Sequence, residues 1–318
     1  MDSDLRYHCV APQGMPQNIV TATNPPDHSR MRKMLTNSFT ERALQGQEPV
    51  IESYMHLVMT RFRAMATTSD AEESGVVINM LDWLNFFTID IIGDLGFGES
   101  FNCLQDSQYH DWVKTLHNFL KGMVFAAATR FYPSVEYLFF ALLPKSIIEM
   151  QKRHTEFANK RINRRLNMET DRPDFITPIM KDNQDYRNMS VEEIQSNAAI
   201  LMVAGSETTA TTLAGLMTYL IQNPEPLRKV TAEIRARFNK EDDIVIAATK
   251  DLPYLNATIN EGLRLCNPVP GGLPRVVGKG GDTVCNVFVP EFVSHDMTGP
   301  DTTVRTVTTA RWNIANAH

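Results

Sequence analysis

One long segment, residues 190–223, constrains this chain more than any other. Ser190 followed by Glu193 forms a capping box, in which a hydroxyl and a carboxylate satisfy the free amides at a helix start. No proline follows until Pro224, so the pattern predicts one helix of about 32 residues, roughly 48 Å long at 1.5 Å per residue. Its centre is apolar on nearly all sides, which is typical of a helix buried within a domain.

Helical periodicity also marks six shorter segments. They are 28–39, 48–66, 79–93, 145–168, a stretch from near Pro226 to Phe238, and one from Pro253 to about Cys266. The third is expected to stop at Gly93, and a short hairpin is expected at 276–284. Strand patterns are otherwise scarce, so the fold is predicted to be mainly α with a small β remnant.

Composition excludes several classes of protein. The net charge of −6 supplies no excess of cations for nucleic-acid phosphates, so no nucleic-acid partner is expected. The eight histidines show no ligand spacing, and therefore no metal site is predicted from them. Four cysteines, at positions 9, 103, 266 and 285, form no CxxC pair and indicate free thiols.

Two stretches approach the length of a membrane span. Residues 198–221 contain Glu207, which a bilayer core tolerates poorly, so they are expected to form a buried helix instead. Residues 122–143 carry two charges and a proline, and are interpreted as an interfacial or channel-facing segment. The polar N-terminus shows neither a secretory signal nor an anchor, so neither is expected.

Three motifs could carry chemistry. AGSETTA (204–210) places an acid and a hydroxyl inside the long helix, where they could relay protons or merely form a tolerated polar kink. Glu261 and Arg264 share one helix face and could form an ion pair, although an ExxR pattern alone is common. NPVPGGLPR (267–275) is an extended exit from that helix that ends in Arg275.

In this order and spacing, these motifs resemble cytochrome P450, and more narrowly the fungal microsomal P450s of secondary metabolism. AGSETTA is similar to the oxygen-activation motif on the family's central helix, and EGLRLCNPVPGGLPR to its ExxR helix and the segment that follows. DHSRMRKMLTNSFT (27–40) and DIIGDLGFGESF (90–101) are also typical of such fungal members. The resemblance covers about 27–290, and it implies a partial P450 fold with haem as the cofactor.

The resemblance also implies how haem would be held. His28, Arg32 and Arg275 would pair with the haem propionates, because buried carboxylates need cationic or hydrogen-bonding partners. Ala204 and Gly205 are small residues that would border the oxygen and substrate pocket.

Other roles follow from the same resemblance. Glu207 and Thr208 would be the catalytic residues that deliver protons during oxygen activation. Glu261 and Arg264 would be a structural ion pair that holds the ExxR helix to the loop before the haem cysteine. Residues 116–143 would form the mobile roof of the substrate channel and could touch a membrane surface.

One departure from the family pattern changes the expected activity. The thiolate motif Phe-x-x-Gly-x-Arg-x-Cys-x-Gly is absent, and neither Cys266 nor Cys285 has the surrounding glycines and arginine. Without the thiolate, the electron push that splits the O–O bond is missing. We therefore expect residues 1–291 to be a P450 domain truncated at both ends and inactive, and the threonine-rich residues 292–318 to be a disordered, out-of-frame tail.

The implied family function is monooxygenation of an apolar small molecule, with O₂ and electrons from an NADPH-dependent reductase. The family would place the protein at the endoplasmic reticulum membrane, whereas this chain without an anchor would be cytoplasmic. One alternative is a non-catalytic remnant that binds an apolar ligand or a partner, and another is an unrelated helical scaffold. The sequence does not choose among terpenoid, polyketide and fatty-acid-like substrates.

Overall fold

The computed structural model describes residues 16–22, 24–67, 75–114, 129, 132–142, 145–269, 275–277, 280–284, 286–290 and 294–295. Helices dominate these residues, as predicted. They are α1 (Pro25–Thr36), α2 (Glu41–Ala66), α3 (Met80–Phe97), α4 (Cys103–Asp106), α5 (Pro133–Ala141), α6 (Lys145–Leu166), α7 (Ile176–Lys181), α8 (Val191–Gln222), α9 (Pro224–Arg237), α10 (Ile246–Thr249) and α11 (Pro253–Leu265). The chain forms two compact units, Met1–Ser206 and Glu207–His318, which divide within α8.

The long helix α8 begins at the predicted capping box. The Ser190 hydroxyl accepts the Glu193 amide at 3.2 Å, and the Glu193 carboxylate accepts the Ser190 amide at 2.9 Å. The helix then runs without interruption to Gln222, and Pro224 opens α9. The prediction of one continuous helix over this segment is confirmed.

The burial of α8 differs from the expectation. Ile194, Ala198 and Met202 recur every four residues and are buried, so they form a single stripe in the first unit. From 211 to 222 no side chain is fully buried. The prediction of a buried helix is therefore wrong for residues 211–222, because packing within the second unit covers only part of their apolar surface.

The core of the first unit is built around α3. This helix does not stop at Gly93, as the sequence suggested, but continues to Phe97 and ends at Gly98 in the left-handed conformation, with φ of 73°. A Cβ on Gly93 would lie 2.6 Å from the ring of Phe101. Gly93 therefore serves close packing against that ring rather than helix termination.

A buried ion pair connects α6 to the start of α7. Arg165 is 1% exposed and donates to both carboxylate oxygens of Asp174, at 2.6 and 3.2 Å. The same carboxylate accepts the backbone amides of Ile176 and Thr177. Because both side chains are out of water, Arg165 depends on Asp174 for compensation of its charge, and Asp174 depends on Arg165 together with Arg172, whose Nε lies 3.4 Å from the same carboxylate.

The second unit is held by contacts among α8, α9 and α11. Glu233 of α9 accepts the amides of Tyr254 and Leu255 at 2.9 and 2.8 Å, which caps the first turn of α11. Leu216 of α8 packs onto Gly262 of α11, where an added Cβ would lie 2.9 Å away. These contacts fix the helix that carries the ExxR pattern.

The described strands form two small antiparallel sheets in the second unit. β2 (Asp282–Val284) pairs with β3 (Val287–Val289), and β1 (Arg275–Val276) pairs with β4 (Ser294–His295). The predicted hairpin at 276–284 is therefore wrong, because its two ends pair with later segments. Beyond β4, residues 296–318 lie outside the described residues, so the disordered tail stays a prediction.

Among the described residues, no helix is both long and apolar enough to cross a membrane.

Candidate functional site

The AGSETTA motif occupies the middle of α8. Ser206 is buried, and its hydroxyl donates to the Met202 carbonyl at 2.8 Å. Ala204 is exposed, while Glu207 and Thr208 are half-buried. The motif thus combines small and polar side chains within one uninterrupted helix.

Gly205 gives α8 a close approach to α3. A Cβ on Gly205 would lie 2.6 Å from Cδ1 of Ile92, so a larger residue would displace that side chain. The sequence pointed to Gly205 as a place where a flat ligand could approach the backbone. In the first unit, the Ile92 side chain already takes part of the space beside it.

The predicted propionate partners on α1 lie one turn apart. His28 is half-buried and Arg32 is exposed, and their spacing of four residues puts them on one helix face. The backbone of Arg275 lies in β1, and its side chain is not among those that the structure describes. Two of the three predicted residues therefore share one face of α1.

Arg32 borders a surface pocket of about 280 Å³ next to α8. The pocket is mostly apolar, and its lining consists of Ile19, Arg32, Leu35, Thr36, Phe39, Thr40 and Leu201. Leu201 lies one helical turn before Gly205 on α8. The pocket thus has one arginine among mostly apolar walls, beside the helix that carries the AGSETTA motif.

Arg30, which sequence reasoning missed, ties α1 to the start of α8. Its guanidinium donates to both carboxylate oxygens of Glu193, at 2.6 and 3.0 Å, and to the Asn188 carbonyl. The bidentate pair holds the pKa of Glu193 below its usual value. The capping box already marked Glu193, but no local pattern marks its partner more than 160 residues earlier.

The ExxR residues form an ion pair on α11. Arg264 donates to the two oxygens of Glu261 at 2.7 and 2.6 Å, and this hydrogen bonding lowers the pKa of Glu261. The Arg264 side chain is 52% exposed. Its charge is therefore accessible to solvent rather than enclosed.

Both of the described cysteines have thiols that pack against other residues of their own unit. Cys103 is buried, and burial raises the pKa of its thiol to about 11. The Cys266 thiol donates to the Thr211 carbonyl at 3.7 Å and packs against Gly215. Within the described ranges, no group of three or more metal-ligating side chains occurs.

Comparison with known proteins identifies the family. A family model described as Cytochrome P450 matches residues 5–291, which is most of the chain. The chain belongs to the cytochrome P450 family. Its mainly helical architecture with two small sheets is therefore a partial P450 fold.

Fungal P450 monooxygenases are among its relatives. The chain is 45% identical over 271 residues to cytochrome P450 monooxygenase astJ of Aspergillus oryzae, covering 85% of this chain and 53% of the relative. It is 40% identical over 263 residues to lcsI of Purpureocillium lilacinum, covering 83% and 50%. It is 35% identical over 292 residues to trichothecene C-15 hydroxylase of Fusarium sporotrichioides, covering 91% and 58%. The chain spans about half the length of these P450 relatives.

The P450 family implies a thiolate-ligated haem, and the described donor set does not fit one. Cys103 is enclosed in the core, and Cys266 is engaged with α8 of its own unit. Cys9 and Cys285 lie outside the described residues. Arg32 at an apolar pocket suits a carboxylate, but no described side chain supplies the axial sulfur.

Proposed function

We propose that this chain corresponds to the middle section of a haem-thiolate monooxygenase of fungal secondary metabolism. In the whole protein, one oxygen atom of O₂ enters an apolar small molecule, and an NADPH-dependent reductase supplies the electrons. The observation that carries this proposal is the order of AGSETTA on α8 and the Glu261–Arg264 pair on α11 within a P450 match over residues 5–291. One relative, the trichothecene C-15 hydroxylase of Fusarium sporotrichioides, has a name in keeping with hydroxylation of a small molecule.

His28 and Arg32 are proposed to hold the carboxylate edge of the haem, together with Arg275. Their shared face on α1 and the position of Arg32 at the pocket beside Leu201 support this role. Charge-assisted hydrogen bonds of this kind contribute about 1.5–3 kcal/mol each.

Glu207 and Thr208 are proposed to hold and pass protons, since an acid and a hydroxyl are adjacent in an otherwise apolar helix. Ala204 and Gly205 would border the pocket. The Glu261–Arg264 pair is proposed as structural, because a carboxylate and a guanidinium that satisfy each other have little capacity left for acid–base work. These assignments leave the substrate undefined beyond its apolar character.

The chain as it stands is proposed to lack monooxygenase activity, because it has no cysteine in a thiolate motif. The test supplies the purified chain with haem, NADPH, a P450 reductase and an apolar test substrate. We expect NADPH consumption and product to match the chain-free control. Substrate-dependent turnover that is lost in Cys266→Ser or Cys285→Ser would contradict the proposal.

A non-catalytic binding role is the second candidate, and the Arg32 pocket is the observation that favours it. A mostly apolar pocket with one arginine in its lining suits an apolar ligand that carries a carboxylate. Dodecanoate is a suitable probe, followed by NMR of the labelled chain. Arg32→Ala should weaken binding, whereas Arg42→Ala, on exposed α2 surface, should not. Equal binding by the two variants would remove the pocket as the site.

The whole protein is proposed to act at the endoplasmic reticulum membrane, with 116–143 touching its surface. Within this segment, α5 and its flanks expose large apolar side chains, which are Tyr132, Val135, Tyr137, Leu138 and Leu142. Such exposure is typical of surfaces that contact a membrane or a partner. Flotation with neutral phospholipid vesicles tests this contact, and Tyr137→Asp should reduce the bound fraction.

A further inference from the structure

His110 lies at the edge of an aromatic cluster in the first unit. Its ring is 5.5 Å from the rings of both Phe101 and Phe157, measured between centroids. The indole of Trp112 stacks on the same two rings, at 5.2 and 5.5 Å. His110 and Trp112 therefore share their packing partners.

The His110 side chain also caps the helical turn at 111–114. Its Nδ1 accepts the backbone amide of Trp112 at 3.1 Å, and its carbonyl accepts the amides of Val113 and Lys114 at 2.9 and 3.2 Å. A ring nitrogen that accepts an N–H carries no proton of its own. The contact therefore requires the neutral imidazole, with its proton on Nε2.

A cation already occupies the cluster. The guanidinium of Arg161, on α6, lies 4.2 Å from the centre of the Phe101 ring and 5.0 Å from that of Phe157. A second positive charge on His110 would face this guanidinium across partly buried aromatic rings. The Glu99 carboxylate lies 3.8 Å from Nε of Arg161 and compensates part of its charge, and Arg161 still opposes a positive charge on His110.

The other charged groups around His110 are divided in sign. Lys114 opposes a charge on the ring, while Asp106 and Asp111 favour one. The neighbouring Cys103 thiol accepts the His110 amide at 3.4 Å and is neutral. Burial is the largest influence and Arg161 the next, so the pKa of His110 lies below its usual 6.5.

We propose that His110 is an acid-sensitive clasp, whose protonation removes the cap of the 111–114 turn and releases Trp112 from the aromatic cluster. The turn leads directly into residues 116–143. An effect of His110 protonation on residues 116–143 as a channel roof would rest on the proposed function. The release of Trp112 itself does not rest on it.

The direction of the pH dependence follows from linkage. Since the folded state holds His110 neutral, the unfolded chain binds the proton first as the pH falls through 6.5. The contribution of the clasp to stability is therefore complete above this pH and is lost below it. One proton changes the folding equilibrium constant by at most about tenfold per pH unit.

The test follows Trp112 by ¹⁹F NMR in the full chain labelled with 5-fluorotryptophan, with the resonance assigned by Trp112→Phe. Between pH 8 and 5, we expect the Trp112 resonance to move with a midpoint below 6.5. His110→Asn keeps an oxygen that can accept the capping N–H but cannot titrate. Its Trp112 resonance should stay constant over the same range.

Two control variants separate the clasp from other titrations. His56→Asn, on an exposed position of α2, should keep the wild-type transition. Burial raises the pKa of the Asp90 carboxyl, which accepts the backbone amide of Cys103, so Asp90→Asn is compared as well. A transition that persists in His110→Asn, or that disappears only in Asp90→Asn, would overturn the proposal. An unchanged wild-type resonance down to pH 5 would overturn it too, without bearing on the proposed monooxygenase role.

Discussion

Replacing Asp174 with asparagine is expected to lower the free energy of unfolding by about 3–5 kcal/mol, the usual cost of breaking a buried ion pair. Asp174 is 1% exposed, and it accepts from Arg165 at 2.6 and 3.2 Å. An asparagine oxygen can still accept the amide of Thr177, so the local turn is retained. The variant therefore reports the loss of charge compensation for a guanidinium that has no access to water.

Urea unfolding with linear extrapolation measures this loss. Asp171→Asn is a matched control only three residues away, where the carboxylate is 76% exposed and pairs with Lys181 at 2.7 Å. We expect the control to unfold like the parent within error, because exposed pairs contribute little. Arg165→Met combined with Asp174→Asn should recover part of the loss, since it removes the uncompensated charge. A cost below about 1 kcal/mol for Asp174→Asn alone would refute the assignment of a buried, mutually dependent pair.

Two further predictions address packing and pH. Gly215→Ala should lower the free energy of unfolding by about 1–3 kcal/mol in the same urea assay, because overpacking forces side chains apart. The new Cβ would lie 2.1 Å from Sγ of Cys266. Adding Cys266→Ala should therefore recover part of the loss. Glu193 pairs with Arg30 and has a pKa held below 4.5, so its contribution to stability is present above that pH and is lost as the pH falls further. Glu193→Gln should reduce the change in the free energy of unfolding with pH below 4.5. An unchanged pH dependence in this range would contradict the contribution of Glu193.

The helices were predictable wherever a local signal marks their ends. Ser190 and Glu193 marked the start of α8, and Pro253 fell at the first position of α11. The helix α9 was expected to begin near Pro226 and begins one proline earlier, at Pro224. Capping boxes and prolines affect only the few residues next to them, so they can be interpreted without knowledge of the fold. The ion pair of the ExxR pattern was predictable for the same reason.

Features set by distant contacts were not predictable. Gly93 looked like a helix stop, but the Phe101 ring that packs against it keeps it inside α3. The strand β1 pairs with Ser294–His295, nearly twenty residues downstream, instead of closing the expected hairpin. Arg30 and its partner Glu193 lie on helices that only the folded chain brings together.

The chain has a partial P450 fold, and we propose that it does not supply the axial sulfur of a thiolate-ligated haem. The absorbance spectrum of the haem-supplied chain, reduced and treated with CO, tests it most directly. We expect no long-wavelength Soret band of a thiolate-ligated haem, and we expect haem binding to be unaltered by Cys266→Ser or Cys285→Ser. A thiolate-type band that vanishes in either variant would contradict it, because one of these cysteines would then ligate iron.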